Sequence, residues 1–109
     1  MKSIVYANQA ETTVLNEFVS RNMLAYGSDL MAVEVCFLQG GIGADHSHPH
    51  AQISYILSGT FEYHTSDGTR IVGKGDSLYF PGGAIHGVVC IEGGTILDIF
   101  TPQRSDFLS

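Results

Sequence analysis

Basic residues are scarce in this chain: lysine and arginine number 5 against 11 aspartates and glutamates, for a formal charge of -6 and a pI near 5.1. Proteins that bind nucleic acid or anionic membranes displace counterions with a basic patch, so neither partner is expected. Cysteine is almost absent. Cys36 and Cys90 each sit inside an apolar run, Val33–Leu38 and Val88–Ile91, and read as reduced core thiols in place of a disulfide framework. No stretch approaches the ~20 apolar residues that a bilayer-spanning helix requires. The first residues carry a single lysine, Lys2, without the apolar segment of an export signal, so a cytoplasmic protein is expected. Linkers, low-complexity tracts, internal repeats and any sustained 3.6-residue hydrophobic period are also missing. With 109 residues there is no room for a second core, and a single domain over 1–109 is expected.

What is abundant points to strands. Apolar residues form 44% of the chain, enough for a core, and 13 glycines separate segments rich in Val, Ile, Tyr and Phe. Strands are predicted at Met23–Tyr26, Met31–Gln39, Gln52–Ser58, Thr60–His64, Arg70–Gly73, Ser77–Phe80, His86–Ile91 and Thr95–Thr101. Turn signals fall at Ser58-Gly59, Ser66-Asp67-Gly68, Gly75-Asp76 and Glu92-Gly93-Gly94. Within residues 1–21, an N-terminal arm, Asn8–Arg21 reads as a short helix or an edge strand; 22–101 forms the barrel and 102–109 a tail. Tyr55 and Tyr79 alternate with apolar residues and are predicted in the core. The class is all-β, a sandwich or small barrel that closes its edges and holds a polar pocket in its mouth. A domain this small often adds a metal or a partner subunit, and a homodimer is expected.

Four of the five histidines fall in two short segments marked by glycine and proline. In the first, Gly40 through Gln52, alternate residues of an extended chain put His46 and His48 on one face, with Gln52 sharing their parity if the strand resumes after Pro49. Three donors can then converge on a metal; the plain alternative is a polar, histidine-rich loop. His86, taken alone, reads as a strand-end histidine. His50 shares the parity of the pair, but Pro49 bends the chain, so it reads as pocket lining or loop surface. His64 reads as a surface residue on an edge hairpin.

The joint spacing is more informative. Gly40-x5-His46-x-His48-x3-Gln52-x6-Gly59 followed by Gly75-x5-Pro81-x-Gly83-x2-His86 resembles the two motifs of the cupin superfamily. The resemblance implies a cupin β-barrel, a jelly-roll-like double-stranded β-helix, with one divalent metal on His46, His48, Gln52 and His86. Gln52 stands where most cupins carry Glu, and Cys90 where the second motif often ends in Asn. A neutral amide with three neutral imidazoles leaves the full 2+ charge on the ion. The carboxylate of the usual iron oxygenase triad is absent, which counts against a redox dioxygenase. This donor set does not choose among Zn, Ni, Mn and Fe.

The last strand holds a second anomaly. Asp98 lies within Ile96-Leu97-Asp98-Ile99-Phe100, where strand parity sends Ile96, Asp98 and Phe100 to one face, which can be the interior. A buried aspartate reads either as an ion pair with Arg104 that holds the tail or as an acid/base beside the metal, and Phe100 as core or substrate contact. Here the resemblance narrows. His46-Ser47-His48-Pro49-His50-Ala51-Gln52, Tyr55-x-x-Ser58-Gly59-x-Phe61-Glu62 and Asp98-Ile99-Phe100-Thr101-Pro102-x-Arg104-x-Asp106-Phe107-Leu108 are similar to the KdgF-type pectin-degradation cupins. These convert 4,5-unsaturated monouronates, left by pectin and alginate lyases, to linear 4-deoxy-5-keto-uronates. The resemblance implies a small anionic sugar as substrate and places the family's catalytic and substrate-contacting tail residues on Asp98, Phe100 and Arg104, with Arg104 gripping the carboxylate. Ala51 departs from the Glu often found beside the ligand Gln, which bears on polarity and substrate preference. The rival reading from another class is a sugar-acid-binding cupin without catalysis.

Overall fold

The structure, a computed structural model, describes residues 1–108. Its strands are β1 (Glu11–Val14), β2 (Val19–Tyr26), β3 (Met31–Phe37), β4 (Ile42–His46), β5 (Ala51–Thr65), β6 (Gly68–Gly73), β7 (Ser77–Phe80) and β8 (His86–Thr101), with 3₁₀ turns at Ala7–Gln9 and Ser105–Phe107. No helix among the described residues is long and apolar enough to cross a membrane. All pairing is antiparallel, along the path β1-β2-β3-β8-β5-β6, with β4 also on β8 and β7 also on β5. The path does not return on itself, so the eight strands form one sheet whose edges are not closed by pairing.

The bends of the two long strands overturn two predicted turns. Ser58-Gly59 and Glu92-Gly93-Gly94 do not end strands; β5 and β8 run through them and pair from Ala51↔Thr101 to His64↔Gly87, with register shifts between Ile56 and Phe61. The first half of β5 pairs with β7 and its second half with β6, while β8 pairs first with β4 and then with β3. Each long strand therefore changes its second partner along its length, and the register shifts where it does so. Glycine makes the bend possible: a Cβ at Gly94 would fall on the carbonyl of Ser58, and Gly59 has φ +86°. Turn-rich glycine runs look the same in sequence whether the chain reverses or only bends.

Parity along β5 sets the core. Gln52, Ser54 and Ile56 point inward and are buried, so Ile53, Tyr55 and Leu57 face outward. Tyr55 and Tyr79, predicted in the core, are exposed for this reason, since both lie on the outer face of the β7-β5 pair. The main core joins Phe37, Ile56, Phe61, Tyr63, Phe80, Val88, Cys90 and Ile96. A smaller cluster of Met23, Met31, Val33 and Phe100 lies toward the tail, where Phe107 packs on it. Phe61 is fully buried, and hiding a side chain of that size stabilises the fold by about 3 kcal/mol. Cys36 and Cys90 are both free thiols. The N-terminal arm supplies a 3₁₀ turn and the edge strand β1, in place of an α-helix.

Candidate active site

Two loops bring the histidines together. The Pro49 loop after β4 carries His48, and the Pro81 loop before β8 leads to His86. Gly83 N–H donates to the carbonyl of His48 at 2.8 Å. Gly82 lies against the carbonyl of Pro49, where any side chain would collide. His46 faces His86 directly in the β4–β8 register. The ring centroids of His46, His48 and His86 are 4.6 to 5.5 Å apart, and one ligand nitrogen from each lies within 4.8 Å of the others. Three histidines that can hold a metal are thus in place.

Their protonation follows from the backbone. Each Nδ1 meets a carbonyl oxygen: His46 that of Ala44 (2.8 Å), His48 that of His50 (3.0 Å) and His86 that of Ala84 (3.0 Å). A carbonyl only accepts, so each Nδ1 carries the hydrogen and a neutral ring turns the lone pair of Nε2 inward. Burial pushes the pKa of His48 and His86 down and favours that neutral, ligating form. His86 is further fixed by stacking on Phe80 at 4.3 Å with 10° between planes.

Gln52 lies against this group. Its Nε2 donates to Ser54 Oγ (2.9 Å) and Asp98 Oδ1 (3.2 Å), which turns Oε1 toward the histidines. Oε1 then lies 3.0 Å from His48 Nε2, two lone-pair-bearing atoms facing each other. His86 Nε2 is buried with no hydrogen-bond partner. A cation among these atoms satisfies both, so the residues present fit a divalent ion. His50, by contrast, lies outside the cluster: its carbonyl orients His48, and its ring packs 5.5 Å from that of His48.

Asp98 sits behind Gln52. Strand parity carries it to the interior as expected, between buried Ile96 and Phe100. Its Oδ1 accepts from Ser54 Oγ at 2.6 Å. Although part of its surface opens to the cavity, packed atoms surround the carboxyl, and desolvation pushes its pKa up to about 6 against the pull of the Ser54 and Gln52 hydrogen bonds. The ion pair with Arg104, one of the two readings of this residue, is not formed. Arg104 instead gives Nε and Nη2 to Asp106 at 3.0 and 2.8 Å, because the Ser105–Phe107 turn brings that carboxylate alongside. The Arg104 guanidinium also lies 5.1 Å from the ring of Phe100 and 4.2 Å from that of Phe107.

These residues share one cavity of about 290 Å³, lined at one end by His46, His86 and Gln52, with Asp98 and Phe100 between, and at the other end by Arg104, Phe107 and Arg21. Ser54 and Arg21 are absent from the sequence-based site. Parity could have found both: Ser54 follows Gln52 at the strand period, and Arg21 lies between the buried Val19 and Met23 of β2. His64, on the outside, bridges Glu62 (3.0 Å) and Asp45 (3.5 Å), which raise its pKa.

The fold and the histidine set are those of a cupin, and residues 33–100 match the Cupin domain family, Cupin_2. The chain is 40% identical over 96 residues to the pectin degradation protein KdgF of Dickeya dadantii, covering 86% of this chain and 87% of the relative. Among solved structures it is similar to KdgF from Halomonas sp., with TM-score 0.90 and 32% identity over 96% of this chain and 99% of that one. It is also similar to an RmlC-like cupin from Shewanella frigidimarina, with TM-score 0.93 and 34% identity over 98% and 96%. The chain belongs to the cupin family and, within it, to the KdgF-type proteins.

Proposed function

We propose that this chain opens the ring of 4,5-unsaturated monouronates to linear 4-deoxy-5-keto-uronates in pectin degradation, with one divalent metal on His46, His48, Gln52 and His86. The observation that carries the reading is Asp98, a carboxyl held at the proton-transfer range next to a metal-ready histidine cluster in a chain similar to pectin-degradation KdgF. The chemistry requires a proton at C4 of the enol ether and water at C5; the hemiketal formed then breaks its C5–O5 bond. C1 is left as an aldehyde hydrate that returns the water, so the net change is an isomerisation. Asp98 delivers the proton, and its hydrogen bonds from Ser54 and Gln52 both fall on Oδ1, which leaves Oδ2 to face the substrate. Phe100 packs on the sugar face, and Arg104 places positive charge over it. A bound divalent ion would supply Lewis-acid polarisation of the substrate oxygens.

The partner is a small anionic sugar; no role for nucleic acid or membrane is assigned. The outward apolar side chains Ile53, Tyr55 and Tyr79 support a homodimer across that face, and the two free thiols support a reducing, cytoplasmic setting. The test is loss of enol-ether absorbance from pectin- and alginate-derived unsaturated monouronates, with metal-loaded and chelator-treated protein. Turnover abolished by chelator is expected. Tight uronate binding with no chemical change would replace this reading with the non-catalytic one.

A further inference from the structure

The two arginines of the cavity differ in what they have left to give. Arg104 has its Nε–Nη2 edge, the fork that grips a carboxylate with two parallel bonds, already closed on Asp106. Arg21 lines the same cavity with Nε buried and without a hydrogen-bond partner. The Asp106 carboxylate offsets part of the Arg21 charge, but a buried N–H left without an acceptor is costly. The group is also held in place: its guanidinium lies 3.8 Å from the centroid of Phe107, the ring that Arg104 also covers. Strand β2 fixes its direction, since Arg21 lies opposite Val35 in the β2–β3 register and points inward with Val19 and Met23. In a chain of charge -6, an anion needs such a local site to enter.

We propose that Arg21 is the residue that grips the carboxylate of the substrate, with its unsatisfied guanidinium as the donor, while Arg104 stays on Asp106 and adds charge from beside Phe100. This rests on the uronate reading above. It assigns the carboxylate to the arginine end of the cavity and leaves ring oxygens for the histidine end.

The test uses metal-loaded protein and two readouts. Arg21→Gln is expected to raise KM for unsaturated monouronate by about 10- to 100-fold, the usual worth of a charge-assisted pair, with kcat within about 3-fold. Arg21→Lys, which keeps the charge without the fork, is expected to recover part of the loss. The second readout needs no variant: wild-type protein is labelled with phenylglyoxal and mapped by mass spectrometry, with and without galacturonate. Galacturonate is expected to protect Arg21 and to leave the labelling of Arg70, outside this cavity, unchanged. An unchanged KM in Arg21→Gln, a loss confined to kcat, or equal labelling of Arg21 with and without galacturonate overturns the assignment. If Arg21→Gln does not fold, the labelling decides. Absence of turnover by the wild type overturns the uronate reading instead, and is scored separately.

Discussion

At the histidine end of the cavity three imidazoles are aimed by backbone carbonyls, those of Ala44, His50 and Ala84, whereas at the arginine end the guanidiniums are held by side chains, Phe107 and Asp106. Backbone carbonyls move only with the strand and loop segments that carry them, so the ring orientations follow the main chain. Side-chain holders turn about their own bonds. The first end is preorganised for an ion of fixed geometry, and the second can adjust to the ligand that enters.

The strongest way to break this contrast is to remove a ligand from the rigid end. His86→Ala is expected to lower metal affinity by more than ~10²-fold, beyond the cost of losing an outer partner, and to abolish turnover. Elemental analysis and calorimetric metal titration check it; a variant that keeps its ion at wild-type affinity would remove His86 from the ligand set.

Next comes the residue between the two ends. Asp98→Asn is expected to keep the metal and slow turnover by about 10²- to 10⁴-fold. It also carries a pH signature. With the folded pKa raised from 3.8 to about 6, the ionised carboxyl destabilises the fold above that pKa and has no effect once both states are protonated. Metal-free Asp98→Asn is therefore expected to be more stable than metal-free wild type near pH 8, by up to ~3 kcal/mol, with the difference vanishing toward pH 4. The lowered pKa values of His48 and His86 make both proteins lose stability as pH falls below the usual imidazole range, and this cancels in the comparison. Denaturant melts across that range measure it, and a pH-independent difference would contradict the burial of the charge.

Ser54→Ala removes the hydroxyl that joins Gln52 to Asp98. A loss of about 1–3 kcal/mol in stability and roughly 10-fold in metal affinity is expected. Unchanged affinity would show that Gln52 is aimed without it. The smallest effect belongs to the adjustable end. Asp106→Asn is expected to cost under ~1 kcal/mol, because the carboxylate is more than half exposed, and to change KM a few-fold by releasing Arg104. Arg104 holds the Asp106 carboxyl below the usual carboxylate range, so its contribution is present above that range and is lost as pH falls through the folded pKa. Equal acid melts for variant and wild type would set that ion pair at zero.

Legibility in the sequence followed the range of the interaction. The motif histidines and Gln52 could be read because their spacing within each segment is local, and Asp98 because an acid in an apolar strand violates the period of two. β4 is missing from the predicted strands, although the chain at His46 reads as extended: Ile42–His46 is short and glycine-bearing, and only its pairing with β8 makes it a strand. The bends at Gly59 and Gly94 were read as turns because the partner that makes them bends lies on another strand. The sequence left the Arg104 partner open, since two carboxylates lie within reach of the tail, and the Ser105–Phe107 turn selects Asp106.

By itself the sequence determined an all-β domain with a histidine cluster, an interior aspartate and a tail bearing an arginine, because composition, period and spacing are properties of neighbours along the chain. Only the tertiary structure decided which groups meet. Ser54 under Asp98, Arg21 beside Phe107 and the empty-handed Nε2 of His86 depend on strands far apart in sequence, and burial is what turns their proximity into shifted pKa values and unpaired donors.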